Sequence, residues 1–236
     1  MLNFLNYLKY TKYFIGILYK NWLSYKESYA QHGEDILVEK LLGKVNSFID
    51  IGANDGVLFS NTYKFAKQGA YGLCIEPSRV TFLKLICNHL PHIRVKCLRT
   101  AVSNKEGSLH FQDSGYESVL SKVCEEHNSK TYKVKSNNLQ NLLKTYPRFR
   151  QTDLISIDVE GHEKNVITGA GLDPLDAKII IIEIDKTNLN EILKQPVLKD
   201  FEPVYTNGIN IILLNKNHHF SPIIKLPAGY YSYKNN

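Results

Sequence analysis

The chain has 236 residues, of which 43% are apolar and 22% charged, with a formal net charge of +6. This is an ordinary globular composition with enough chain for one full α/β core, and it contains neither repeats nor a low-complexity linker. The basic residues are spread out, which fits a solvated surface and gives no reason to invoke a nucleic-acid partner. Cys74, Cys87, Cys97 and Cys124 show no CxxC spacing, so they read as reduced thiols and not as a zinc site. With no signal-peptide cleavage pattern, the expected location is cytoplasmic.

Residues 1–27 read as a separate N-terminal extension ahead of a single domain over 28–236. Residues 1–26 contain no acidic residue, four lysines (Lys9, Lys12, Lys20 and Lys26) and many large apolar groups. Leu5, Leu8, Ile15, Leu18, Tyr19 and Trp22 fall at helical spacing, but the lysines interrupt the apolar run too often for a membrane span of ~20 apolar residues. The extension reads either as a helix lying on an anionic membrane surface or as a helix packed on the domain or a partner subunit.

From Ser47 onward, strand-like and helix-like stretches alternate. Strands are expected at Phe48–Ile51, Tyr71–Ile75, Arg94–Leu98, Leu154–Val159 and Lys178–Ile184, with a final edge strand at Ile209–Leu214. Helices are expected from Asn61 to Gln68, from an N-cap at Ser78 through Leu90, and over Leu139–Tyr146. Shorter strands at Leu109–Gln112 and Tyr132–Val134 lie on an insertion. The uninterrupted apolar runs suit strands covered on both faces, and the alternation predicts a doubly wound, mostly parallel sheet with helices on both faces.

The first strand runs into the turn Gly52-Ala53-Asn54-Asp55-Gly56. A glycine-bearing turn at the carboxyl edge of such a sheet is where nucleotide-like ligands bind. Dinucleotide sites use G-x-G-x-x-G, but here Asn54 stands at the second glycine's position and Val57 at the third. Asp50 and Asp55 flank the turn without a nearby lysine or arginine, which disfavours phosphate. S-adenosylmethionine suits the turn better: it carries a sulfonium, an ammonium and a ribose diol, and no phosphate. Glu76, at the end of the second strand, is placed to accept hydrogen bonds from that diol, although a solvated helix-start residue is the plainer reading of a lone acid there.

Phe48–Gly56 (FIDIGANDG), Cys74–Pro77 (CIEP) and Ile157–Gly161 (IDVEG) together resemble the FkbM-type family of S-adenosylmethionine-dependent methyltransferases. Ser28–Asp35 resembles its lead-in segment, and Glu183 its last acidic position. The resemblance implies a class I methyltransferase (Rossmann-like) fold with a seven-stranded sheet whose last strand is antiparallel. It places Asp50, Gly52, Asn54, Asp55, Gly56 and Glu76 around the cofactor, and Ala101 beside the adenine.

Asp158-Val159-Glu160-Gly161-His162-Glu163 gathers ionisable groups at the fourth strand's carboxyl edge. Asp158 and Glu160, expected on one face of a continuing strand, are candidate bases for an alcohol acceptor, and His162 has a suitable pKa. Glu163 reads as a helix-start carboxylate. Oxygen ligands for Mg²⁺ are present there, but nothing fixes a full ligand set, so no metal is expected. The acceptor reads as a small molecule or a sugar hydroxyl of a glycan. The residues between about 113 and 135, including Ser114, Tyr116, Glu117, Ser118 and His127, are expected near its entrance. An NAD-dependent sugar oxidoreductase or a noncatalytic partner in a glycan-assembly complex would use the same fold.

Overall fold

The computed structural model describes residues 15–112, 122–124, 131–184 and 189–233. Ser114, Tyr116, Glu117, Ser118 and His127 therefore lie outside the described residues. Residues 15–23 are helical (α1), and α2 (Glu34–Leu42) leads into the main sheet. The sheet is built from β1 (Ser47–Ile51), β2 (Tyr71–Ile75), β3 (Val95–Leu98), β8 (Gln151–Ile157), β9 (Asp176–Glu183), β10 (Phe201–Thr206), β11 (Asn210–Asn215) and β12 (Tyr231–Ser232). Their spatial order is β12-β10-β11-β9-β8-β1-β2-β3.

The adjacent strands β3, β2, β1, β8 and β9 run parallel, and β11 is antiparallel to both β9 and β10. The sequence-based expectation needs two corrections here. The sheet has eight strands because the short β12 adds to β10, and Ile209–Leu214 is not an edge strand. It lies inside, as β11, because the chain segment before it pairs along its outer side as β10.

Alternation across the sheet divides the core. Ile49, Ile51, Ile180 and Ile182 pack on one face with α5 (Leu139–Thr145) and α6 (Glu163–Thr168). Phe48, Ile179 and Ile181 pack on the other with α2 and α3 (Tyr63–Lys67). The four consecutive isoleucines of β9 are thus all buried, two for each face, as expected of a strand covered on both sides. α4 (Arg79–His89) follows β2, and its N-cap Ser78 accepts from the Thr81 amide at 3.3 Å. α7 (Leu189–Leu193) follows β9.

A second sheet, β4-β7-β5-β6, stands beside the main one. It comprises β4 (Ala101–Val102), β5 (Gly107–Gln112), β6 (Lys122–Cys124) and β7 (Thr131–Asn137). Its apolar cluster of Ala101, Phe111 and Val134 is separate from the two main clusters.

The lead-in segment is tied to the far end of the chain. Buried Glu34 accepts from Asn210 Nδ2 at 2.7 Å and from the Tyr230 hydroxyl at 2.8 Å. Asp35 accepts from the Tyr29 amide at 2.7 Å and from the Ser28 hydroxyl. α1 docks through Asn21 and Trp22. Cys74, Cys87 and Cys97 are free thiols, and no helix among the described residues is long and apolar enough to cross a membrane.

Candidate active site

The carboxyl ends of β1, β2, β8 and β9 converge on a cavity of about 300 Å³. Gly52, Ala53 and Asn54 form one wall, Glu76 and Pro77 a second, and Asp158, Glu160, His162 and Glu183 a third. The second sheet contributes Ala101, Phe111 and Val123, while Gln31, Leu58 and Phe59 stand at the rim. No lysine or arginine lines the cavity among the described residues.

The turn after β1 is fixed by backbone contacts. The amides of Gly52 and Ala53 both donate to the Ile75 carbonyl at 3.0 Å. Gly52 has φ +85°, and a Cβ there would lie 1.7 Å from the Asp158 carbonyl oxygen. This glycine is therefore required by the close approach of the β1 turn to the end of β8. Asp55 and Gly56 do not line the cavity. Asp55 Oδ1 accepts from the Val57 and Leu58 amides at 2.9 and 2.8 Å, which closes the turn. Gly56 packs against Leu85 and His89, where a Cβ would come within 3 Å of both side chains.

Glu76 is buried, and its two oxygens accept from the Asn54 amide at 3.1 Å and the Ser78 amide at 2.7 Å. It thereby joins the turn, the end of β2 and the start of α4, and these bonds fix its carboxylate at the cavity wall. Asp50, beneath the turn, accepts from the Thr62 hydroxyl at 2.6 Å. Burial pushes its pKa up to about 6, against the opposing hydrogen bond from Thr62.

At the third wall, carboxyl oxygens of Asp158, Glu160 and Glu183 all lie within 4.8 Å of one another. β8 ends at Ile157 and the chain turns, so Glu160 does not continue a strand face as expected; it has φ +54°. The Asp158 pKa is raised well above the carboxylate range by enclosure, by the charge of and a hydrogen bond to Glu183, and by Glu160 and Glu163. Its side chain is open to the cavity mouth, which weakens the effect of enclosure, so the crowding of like charges carries the direction. The Glu183 carboxyl beside it therefore makes Asp158 bind a proton more readily than an isolated aspartate.

His162 Nδ1 lies 3.0 Å from Asn165 Nδ2, and His162 Nε2 lies 2.9 Å from Ser103 Oγ. Both ring nitrogens thus have hydrogen-bonding partners, and His162 forms part of the cavity wall. Glu163 accepts from the Val159 and Gly161 amides at 3.0 and 3.1 Å and organises the loop that carries Glu160.

Three non-glycine residues have positive φ among the described residues: Asn54, Phe59 and Glu160. All three line this cavity. Asparagine tolerates this region, but Phe59 and Glu160 are held there at a cost of about 1 kcal/mol or more each, and such strain collects at functional sites. The sequence reading matched Glu183 to the family's last acidic position without giving it a role, and gave Asn210 no part in the site. Glu183 carries the same signal as Asp50 and Asp158, an acid at the carboxyl end of an apolar strand. Asn210 could not be found that way, because it depends on β11 running antiparallel.

The strand order, the single antiparallel strand inside the sheet and the cavity at the parallel strands' carboxyl edge define a class I methyltransferase fold. The sequence profile described as the Methyltransferase FkbM domain matches residues 50–205, more than half of the chain. The chain belongs to the FkbM methyltransferase family. No curated protein matches it. Among solved structures, the METTL16 methyltransferase domain is similar at 16% identity and a TM-score of 0.46, over 76% of this chain and 64% of that one. The FkbM methyltransferase from Methylobacillus flagellatus KT is similar at 14% identity and a TM-score of 0.46, over 72% of this chain and 43% of that one. A ribosomal protein L11 methylase from Lactobacillus delbrueckii subsp. bulgaricus is similar at 14% identity and a TM-score of 0.46, over 77% and 76%. The chain thus spans less than two thirds of the length of the first two.

Proposed function

We propose that the protein is an S-adenosylmethionine-dependent O-methyltransferase acting on a hydroxyl of an uncharged sugar or glycan-type acceptor. The observation that carries this reading is the charge of the cavity: Asp50, Glu76, Asp158, Glu160 and Glu183 line it, with no lysine or arginine among the described lining residues. Such a wall repels phosphate and carboxylate ligands and accommodates a sulfonium, an ammonium and neutral hydroxyls. Glu76 would hold the ribose diol, and the left-handed turn at Asn54 would bring backbone against the nucleoside. Asp50 would favour the cationic methionine end, and Ala101 offers an apolar surface for the adenine.

When bound, S-adenosylmethionine supplies an electrophilic methyl group. The chain's own residues orient the acceptor and take its proton. Asp158, whose affinity for a proton is raised by the Glu183 carboxyl beside it, would accept the proton of the acceptor hydroxyl. Leu58 and Phe59 give the rim an apolar surface on which a sugar ring can rest. Both are close to half exposed, at 49% and 47%.

A labelled-methyl transfer assay against neutral glycans, phosphorylated sugars and amines tests the acceptor class. A thermal-shift series with S-adenosylmethionine, S-adenosylhomocysteine and NAD tests the donor. Stabilisation by NAD alone would overturn the reading in favour of an oxidoreductase. Asp158→Asn should lower turnover by about 100-fold, in the range of general-base loss, with donor affinity retained. Turnover equal to wild type would remove Asp158 from the chemistry.

A further inference from the structure

Helix α4 buries one side and leaves a second apolar side in solvent. Thr81, Leu85, Asn88 and His89 face inward. On the opposite side Leu83, Ile86 and Leu90 are 58%, 37% and 60% exposed, and Ile93 just beyond the helix is 93% exposed. Burying a side chain of this size is worth about 1.5–3 kcal/mol, so a row of them at helical spacing marks a surface made to be covered.

The charge around this face has one sign. Helix α4 carries Arg79 and Lys84 and no aspartate or glutamate. Residues 1–26 are also free of acidic groups, and α1, which belongs to that stretch, meets α4. Asn21 Nδ2 donates to Asn88 Oδ1 and Trp22 Nε1 to the Asn88 carbonyl, both at 3.1 Å. α1 itself exposes Tyr19, Leu23 and Lys20.

We infer that the outer face of α4, flanked by α1, docks on an anionic lipid bilayer. The aliphatic side chains enter the interface and the basic ones sit at the headgroups. The covered surface is the convex outside of a helix with basic flanks, the general form of an interfacial helix, and not a groove shaped for a peptide. Pairing with a second copy is disfavoured, because a two-fold contact through this face would set basic groups such as Arg79 and Lys84 against their own copies. Each basic residue near an anionic surface adds roughly 1 kcal/mol of attraction. α4 begins directly after Glu76 and Pro77, which line the cavity, so a bilayer under α4 lies beside the cavity mouth.

Sedimentation of the full chain with vesicles tests this. Binding is expected to vesicles of equal parts phosphatidylglycerol and phosphatidylcholine, with at least about tenfold weaker binding to pure phosphatidylcholine. Leu83→Glu/Leu90→Glu should reduce binding to the anionic vesicles by about tenfold or more while the melting temperature stays near that of wild type. Ile93→Glu, at a position outside the helix and almost fully exposed, should weaken binding in the same direction and serves if the double variant does not fold. Absence of binding to anionic vesicles, or equal binding by both variants and wild type, would overturn the inference. So would a wild-type dimer in sedimentation equilibrium that the α4 variants dissociate.

Discussion

Two carboxylates of the site do different physical work, and each makes its own prediction. Glu76 holds backbone amides of both the β1 turn and the start of α4, so it is structural as well as ligand-facing. Glu76→Ala should weaken S-adenosylmethionine affinity by about tenfold or more and also cost about 1–3 kcal/mol of stability from two buried amides left unpaired. Calorimetry and urea unfolding on the same variant measure the two effects; unchanged donor affinity would end the ribose assignment. Asp50 titrates with a pKa raised from the ordinary 3.8 to about 6 by burial. A carboxyl with a raised folded value binds its proton more readily when folded. Its contribution to stability is therefore fully present below the unfolded value and is lost as pH rises through about 6. In the ligand-free protein, Asp50→Asn should gain melting temperature relative to wild type as pH increases across that window, towards a plateau on the order of 3 kcal/mol. A difference that does not vary with pH would show that Asp50 is not the titrating group.

At the level of elements, local signals were readable and pairings were not. Tyr71–Ile75 and the Ser78-capped helix follow from apolar run length and a capping hydroxyl, and both occur where expected. The helix expected from Asn61 starts at Tyr63 instead, because the Ser60 hydroxyl accepts from the Thr62 and Tyr63 amides and delays the first turn. β10 went unread because Phe201–Thr206 contains Pro203 and carries mixed, half-exposed positions; only its pairing with β11 makes it a strand. The same limit concealed the Asp158–Glu183 contact, which requires β8 and β9 to be adjacent and parallel. The β1 turn was legible as a ligand site, whereas the reason for its first glycine was not. Gly52→Ala would drive a methyl group into the Asp158 carbonyl at a left-handed position. The expected result is a loss of more than about 3 kcal/mol in chemical denaturation, or failure to yield folded protein. Wild-type stability would mean that β1 and β8 are further apart than described.

Across the whole molecule, the first and last described segments are fastened by one buried acid. Glu34 accepts from Asn210 and Tyr230, and Asn210 also lines the cavity. Glu34→Ala should cost about 3 kcal/mol, because donors buried with it lose their acceptor, and a shift of the urea midpoint measures it. A change below about 0.5 kcal/mol, the scale of an ordinary surface substitution, would show that the fastening is dispensable. The second sheet is joined to the rest on different terms. It is one continuous stretch of sequence between β3 and α5, it has its own apolar cluster, and it reaches the cavity through few side chains such as Phe111 and Val123. Within it, Ala101 faces the donor side of the cavity and its neighbour Val102 belongs to a main core, whereas Phe111 belongs to neither main core and lines the cavity. A substitution at Phe111 would therefore reshape one wall of the site while the Gly52 turn and Glu76 keep their own contacts, so the acceptor side can be altered apart from the donor side.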